Sequence, residues 1–260
     1  WKHRLFMVRP KPVRHRNQAV LLISGGSWKP EYDARGARRT ARPVGELVYA
    51  SAVAKATEMP VAVLMQVPFQ PIFGGMYEDE IISYTFERWL QTQDPDWPLL
   101  LPMVKSAVRA MDAAQQFARQ RWDLPIRKFL VCGASKRGWT TWLTAAVDRR
   151  VNAIAPIVID MLNLGEHLRH QLACWGRYSR RIAPYTRRKL PDYLTRPEGK
   201  ALLEIVDPYA YRRSFTMPKL IIIGTNDAYW PVDALNLYWD GLPEPKYILY
   251  VPNEGHGIKD

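Results

Sequence analysis

Apolar residues occur along this chain in short, nearly unbroken runs. LFMVRP (5–10), QAVLLISGG (18–26), PVAVLMQV (60–67), RKFLVCGAS (127–135), VNAIAPIVI (151–159), KLIIIGTND (219–227) and PKYILYVPN (245–253) each predict a strand. Most are continuous rather than alternating, as a strand covered on both faces requires. Between them, residues 43–57, 79–92, 102–120, 138–148 and 231–240 carry helical periodicity. Strand then helix, repeated, predicts an α/β fold with a mostly parallel central sheet, helices on both faces and right-handed crossovers.

One connection breaks the rhythm. Between the strand near 151–159 and that at 219–223 lie the helical LGEHLRHQLACWGRYSRR, the proline-punctuated IAPYTRRKLPDYLTRP and a short helix near 198–206. This is too long for a simple crossover. It reads as a cap: 161–216 inserted over one end of a core made of 1–160 and 217–260.

With 260 residues, 47% of them hydrophobic, the chain can bury one substantial core. The net charge is +12, and residues 161–216 carry eleven Lys and Arg against five Asp and Glu. A basic cap predicts an anionic small-molecule, acyl or peptidyl substrate. No nucleic-acid-reading element accompanies the charge, so specific nucleic-acid binding is not expected. No apolar run approaches the ~20 residues of a membrane span. Cys132 and Cys174 form no disulfide framework or zinc-binding pair in the sequence. Starting at Trp1 without Met or a signal peptide, the chain is expected to be a processed form or a fragment.

The chemistry concentrates at three strand ends. In VCGASKRGWTTW (131–142), Ser135 stands between a strand and a helix, where a sharp turn lifts its hydroxyl above the sheet edge. The pattern G-x-S-x-G is broken at Arg137, with Gly138 one step later. Asp227 follows KLIIIGTN, and His256 lies in NEGHG after the last strand. Ser, Asp, His in that chain order, each at a strand's carboxyl end, is the order of a nucleophile, an orienting acid and a general base. Asp233 is the alternative acid. Such chemistry needs no cofactor. It does need donors for a tetrahedral oxyanion, and the N–H of Lys136 with Gly26 or Ser27 of LLISGGSW are the candidates.

Lys136 and Arg137 stand at a helix start, where cations are unfavourable. Either Arg137 holds an anionic group of the substrate or it pairs with a buried carboxylate such as Asp112, Asp160 or Glu80. Trp139, Tyr229 and Trp230, with Trp175 and Tyr178, are candidate pocket aromatics, and Arg169, His170 and Arg177 are candidate substrate contacts from the cap. His167 and His170 have a metal-compatible spacing, but no neighbouring Cys/Asp cluster in the sequence completes a site, so no metal is expected.

GASKRGWTTWLTAAVD, EDEIISYTFERWLQTQDPDWPLLLPMVKSAVRAMDAAQQF, MPKLIIIGTND, LYWDGLP and YVPNEGH together resemble the PhoPQ-activated pathogenicity-related family, from about Trp1 to His256. The resemblance implies an α/β-hydrolase fold, a serine-hydrolase-like site with Ser135, Asp227 and His256 at the family's three positions, and a periplasmic or secreted setting. It implies no settled substrate. The chain ends four residues after His256, where α/β-hydrolases usually add a further helix, and truncation is therefore expected. The functional expectation is an esterase-like serine hydrolase. A peptidase, or a non-catalytic secreted binding or signalling protein on the same fold, is the alternative.

Overall fold

The computed structural model describes residues 1–33 and 44–258. Seven strands form one sheet: β1 (Leu5–Val8), β2 (Gln18–Ile23), β3 (Val61–Leu64), β4 (Lys128–Ala134), β5 (Val151–Ile157), β6 (Lys219–Gly224) and β7 (Lys246–Val251). Their order is β1-β3-β2-β4-β5-β6-β7, parallel throughout except for the antiparallel edge pair β1–β3. This is an α/β fold with a mostly parallel sheet, as the strand and helix rhythm predicted.

The helices are α1 (Val44–Thr57), α2 (Glu78–Thr92), α3 (Leu100–Trp122), α4 (Lys136–Val147), α5 (Leu164–Trp175), α6 (Ala183–Arg187) and α7 (Pro197–Val206). Alternation along the central strands divides two cores. Leu21, Ile23, Leu64, Phe129 and Val131 pack with α2, α3 and α4, while Val20, Val61, Val63 and Cys132 pack with Ala50 and Ala54 of α1. No described helix is long and apolar enough to cross a membrane.

The expected helix over 43–57 is found from Val44 onward, its first residue lying outside the described part. The expected helix over 231–240 is not formed. There the chain makes two 3-10 turns, Ala234–Leu237 and Trp239–Gly241. Tyr238 leaves the helical region at φ −144°, and the Tyr250 hydroxyl donates at 3.2 Å to Val232 O, the carbonyl that the Asn236 amide would take in an α-helix. Asn163 Nδ2 donates to Leu237 O at 2.9 Å, and Lys246 Nζ donates to Trp239 O and Leu242 O at 2.9 and 3.0 Å.

The long connection from β5 to β6 holds α5, α6, α7 and intervening 3-10 turns. Helix α5 stops at Trp175 because Gly176 turns left-handed at φ 65°, with its N–H on Leu172 O. Asp207 anchors the other end, accepting from the amides of Asn163, Leu164 and Tyr209 at 3.1, 2.7 and 2.9 Å. The segment's cations clamp it to α2: Arg188 meets Glu87 at 2.5 Å and Glu80 at 3.8 Å, and Arg187 also meets Glu80.

Candidate active site

Ser135 links β4 to α4 at φ 57°, ψ −125°, a backbone conformation that an L-residue holds only under constraint from its surroundings. Its N–H donates to Ile157 O at 2.8 Å, and its own carbonyl accepts from Trp139 N–H at 3.0 Å. The turn closes tightly. A Cβ on Gly133 would lie 2.7 Å from Arg137 O, and one on Gly138 would lie 2.5 Å from Ile159 Cγ2. The second close approach thus falls three residues after the serine, so position 137 is free to carry a side chain.

Ser135, Asp227 and His256 converge at the carboxyl ends of β4, β6 and β7. His256 Nε2 lies 2.8 Å from Ser135 Oγ, and Nδ1 lies 2.8 Å from Asp227 Oδ2. The carboxylate can only accept, so Nδ1 carries a proton and Nε2 accepts from the serine hydroxyl. Asp227 is held in turn by the Tyr229 amide, 3.0 Å from Oδ1. In this arrangement an imidazole can take the hydroxyl proton while a buried carboxylate fixes its tautomer. Asp233, the alternative acid, faces His170 instead.

The two cations after the serine have carboxylate partners from the first turn of α2. Arg137 Nη1 and Nη2 meet the two oxygens of Glu78 at 2.8 and 2.6 Å, and Nε donates to Val67 O. Gly25 leaves room for this guanidinium, since a Cβ there would lie 2.5 Å from Nη2. Arg137 is therefore turned into the fold rather than toward a substrate, and its partner is Glu78 rather than Asp112, Asp160 or Glu80. Burial alone would raise the Glu78 carboxyl, but Arg137, Lys136 and Gln70 outweigh it and bring it down to about 2.

Lys136 Nζ lies 3.0 Å from Asp79 Oδ2 and 3.2 Å from Glu78 Oε2. Asp79 also accepts from the hydroxyls of Tyr185 at 3.0 Å and Tyr229 at 3.3 Å. Burial, reinforced by Asp79, raises both phenols above their ordinary range, so they remain donors. The N–H of Lys136, first in α4, has no acceptor within the helix. Gly26 and Ser27 sit on the loop beyond β2, the neighbour of β4, but neither lines the cavity described next.

A cavity of about 90 Å³ opens at Ser135 and His256. Its walls are mainly apolar, with Phe86, Trp139, Ile159, Leu168, Leu202 and Trp230 among them, and its charged lining groups are Asp79 and Lys136 beside the site. Trp139 and Trp230 are thus pocket residues, and Tyr229 stacks on His256 with ring centroids 4.1 Å apart. The three polar residues expected from the cap lie elsewhere: Arg169 pairs with Glu166 on the surface, Arg177 lines a separate depression with Trp175 and Tyr178, and His170 meets Asp233. Asp79 and Tyr185 were missed in the sequence, although the acidic run EDE at 78–80 is the charge complement of the Lys-Arg pair at 136–137.

Two further groups stand near this site. Asp160, Tyr238 and His167 of α5 are buried together; the Tyr238 hydroxyl stands close enough to pull on the Asp160 carboxylate, but no hydrogen bond of full geometry reaches either oxygen of Asp160 or either ring nitrogen of His167. Burial pushes the Asp160 carboxyl up to about 7, with Asp227 and Asp233 adding to the effect against the pull of the Tyr238 hydroxyl. On the outer face, His170, Cys174 and Asp233 bring one potential ligand atom each to within 4.8 Å of one another.

The whole chain, residues 1–260, matches the family described as PhoPQ-activated pathogenicity-related protein, and it belongs to that family. It is 34% identical over 271 aligned positions to autocrine proliferation repressor protein A of Dictyostelium discoideum, covering 99% of this chain and 52% of the relative. The chain thus spans about half the length of that curated relative. Among solved structures, the acetyl xylan esterase of Paenibacillus sp. R4 superposes with a TM-score of 0.60 at 16% identity, covering 99% of this chain and 75% of that one. The acylaminoacyl peptidase of Pyrococcus horikoshii superposes at 0.57 with 12% identity, covering 97% and 35% respectively. These likenesses establish the α/β-hydrolase fold, shared by esterases and peptidases.

Proposed function

We propose that this member of the PhoPQ-activated pathogenicity-related family is a serine hydrolase that cleaves an ester or amide bond through an acyl-enzyme on Ser135. The observation that carries the reading is His256, which bridges Ser135 Oγ and Asp227 Oδ2 at 2.8 Å on each side, at the mouth of an apolar cavity.

Ser135 Oγ attacks the substrate carbonyl carbon as its proton passes to His256 Nε2, and Asp227 stabilises the imidazolium. The N–H of Lys136 donates to the developing oxyanion, and the second donor would come from the loop beyond β2 that carries Gly26 and Ser27, which would have to approach the Ser135 cavity it does not line. His256 then protonates the leaving group as the carbon–heteroatom bond breaks. Water, deprotonated by His256, releases the acid and restores the serine.

The cavity favours an uncharged, apolar acyl group over the anionic substrate suggested by net charge. Asp79 and Lys136 neutralise one another there, and Arg187 and Arg188 of the 161–216 segment are engaged with α2. An ester is favoured over a peptide because, among the described residues at the cavity, the charged pair Asp79 and Lys136 is already engaged and not free to clamp a peptide terminus: Asp79 is shared by Lys136 and two tyrosines. Family membership supports a periplasmic or secreted setting.

A fluorophosphonate probe tests the reading without knowledge of the substrate. The intact chain labels, Ser135→Ala does not, and Asp227→Asn labels far more slowly while retaining its melting temperature. Equal labelling of the intact chain and Ser135→Ala would refute it. The second reading, a non-catalytic signalling protein, is favoured by the relative named as a proliferation repressor. It predicts a well-folded chain that the probe does not label.

A further inference from the structure

We infer that His170, Cys174 and Asp233 form a binding site for a divalent transition-metal ion of the zinc class, fastening α5 to the loop that carries Asp227, Tyr229 and Trp230. His170 and Cys174 are one helical turn apart on α5, which puts both side chains on one face. Asp233 reaches the same point from the β6–β7 connection, its Oδ1 2.8 Å from His170 Nε2, with Cys174 Sγ 3.4 Å from that nitrogen.

The donor set decides the ion. Thiolate, imidazole and carboxylate together suit zinc and its neighbours, whereas calcium or magnesium would call for oxygen alone. Ligands bound at ~2.0–2.3 Å in a tetrahedron stand roughly 3.3–3.5 Å apart. Two of the separations are 2.8 and 3.4 Å and the third is within 4.8 Å, so side-chain rotations suffice to bring the three atoms round one ion. Cys174 and Asp233 are exposed, leaving the fourth position to water. Cys174 enters as the thiolate, and its proton leaves to solvent on binding.

The site spans two elements whose contacts shape the cavity. Gln171 Nε2, on the next residue of α5, donates to Tyr229 O at 2.8 Å, and Ser179 Oγ donates to Ala228 O at 2.6 Å. A metal at 170/174/233 would reinforce that seam from outside, without touching Ser135 or His256.

Cobalt(II) titration of the full chain provides the test. One equivalent should bind per chain, producing the near-ultraviolet sulfur-to-cobalt charge-transfer band and tetrahedral visible bands, and zinc should displace it. Cys174→Ser should abolish the charge-transfer band, and Asp233→Asn should weaken binding about tenfold or more. Zinc should raise the melting temperature of the intact chain but not of Cys174→Ser. Absence of the band with equimolar cobalt, or its persistence in both His170→Ala and Asp233→Asn, would overturn the assignment.

Discussion

Tyr229 lies over the imidazole of His256, with centroids 4.1 Å apart and planes inclined by 31°, while its hydroxyl donates to Asp79 Oδ2 at 3.3 Å. One side chain thereby ties the proposed general base to the carboxylate that neutralises Lys136. If the stack positions the imidazole, Tyr229→Phe should keep most of kcat, because the ring remains. Tyr229→Ala should lose about 2–10-fold, the worth of one aromatic pair. Labelling rates with the fluorophosphonate probe, taken alongside kcat on a neutral ester, would measure both. Equal rates for all three proteins would show that the stack has no such role.

Arg137 and Glu78 make a stability prediction. Arg137→Ala leaves the Glu78 carboxylate without its two strongest hydrogen bonds and should cost about 1–3 kcal/mol. Arg137→Lys should recover little of that, because an ammonium cannot reproduce the fork. Glu78 is held at about 2 against an ordinary 4.5, so its contribution is present above 4.5 and is lost as pH falls toward 2. The difference in melting temperature between the intact chain and Glu78→Gln should therefore be constant near neutrality and shrink across that window.

Asp160 has the opposite sign. Its carboxyl is raised from 3.8 to about 7, so folding favours the protonated form, and its contribution declines as pH rises from 3.8 through 7. Asp160→Asn, which cannot ionise, should gain in melting temperature relative to the intact chain at pH ~8 compared with pH ~5. Thermal melts at the two pH values decide it, and a gain that does not change with pH would place the charge of Asp160 in a solvated or paired setting.

The apolar cavity sets a chain-length preference. Each methylene buried is worth about 0.8 kcal/mol, so kcat/KM should rise roughly fourfold per carbon along a series of neutral straight-chain esters until the cavity is filled. Leu202→Trp, which fills the wall, should move the optimum to shorter chains and leave acetyl esters nearly unaffected. Rates across the series on both proteins test this. Preference for a carboxylate-bearing acyl group would instead restore the anionic-substrate expectation.

Much of the fold was legible because its signals are local. Short continuous runs rich in Val and Ile favour strands covered on both sides, and Ser135, Asp227 and His256 each stand just beyond such a run. What the sequence by itself determined, then, was the strand and helix rhythm of the sheet and the family of the chain. The tertiary structure alone decided which charges meet. Arg137 finds Glu78, Lys136 finds Asp79, and His170 finds Asp233 across 59, 57 and 63 residues respectively. Net charge is a sum over residues and carries no direction, so it could not reveal that Arg187 and Arg188 meet carboxylates of α2 while the cavity at Ser135 is mainly apolar. The failed helix at 231–240 has the same cause: Val232 O is claimed by the Tyr250 hydroxyl and the end of the segment is held by Asn163 and Lys246, whose proximity exists only in the folded chain.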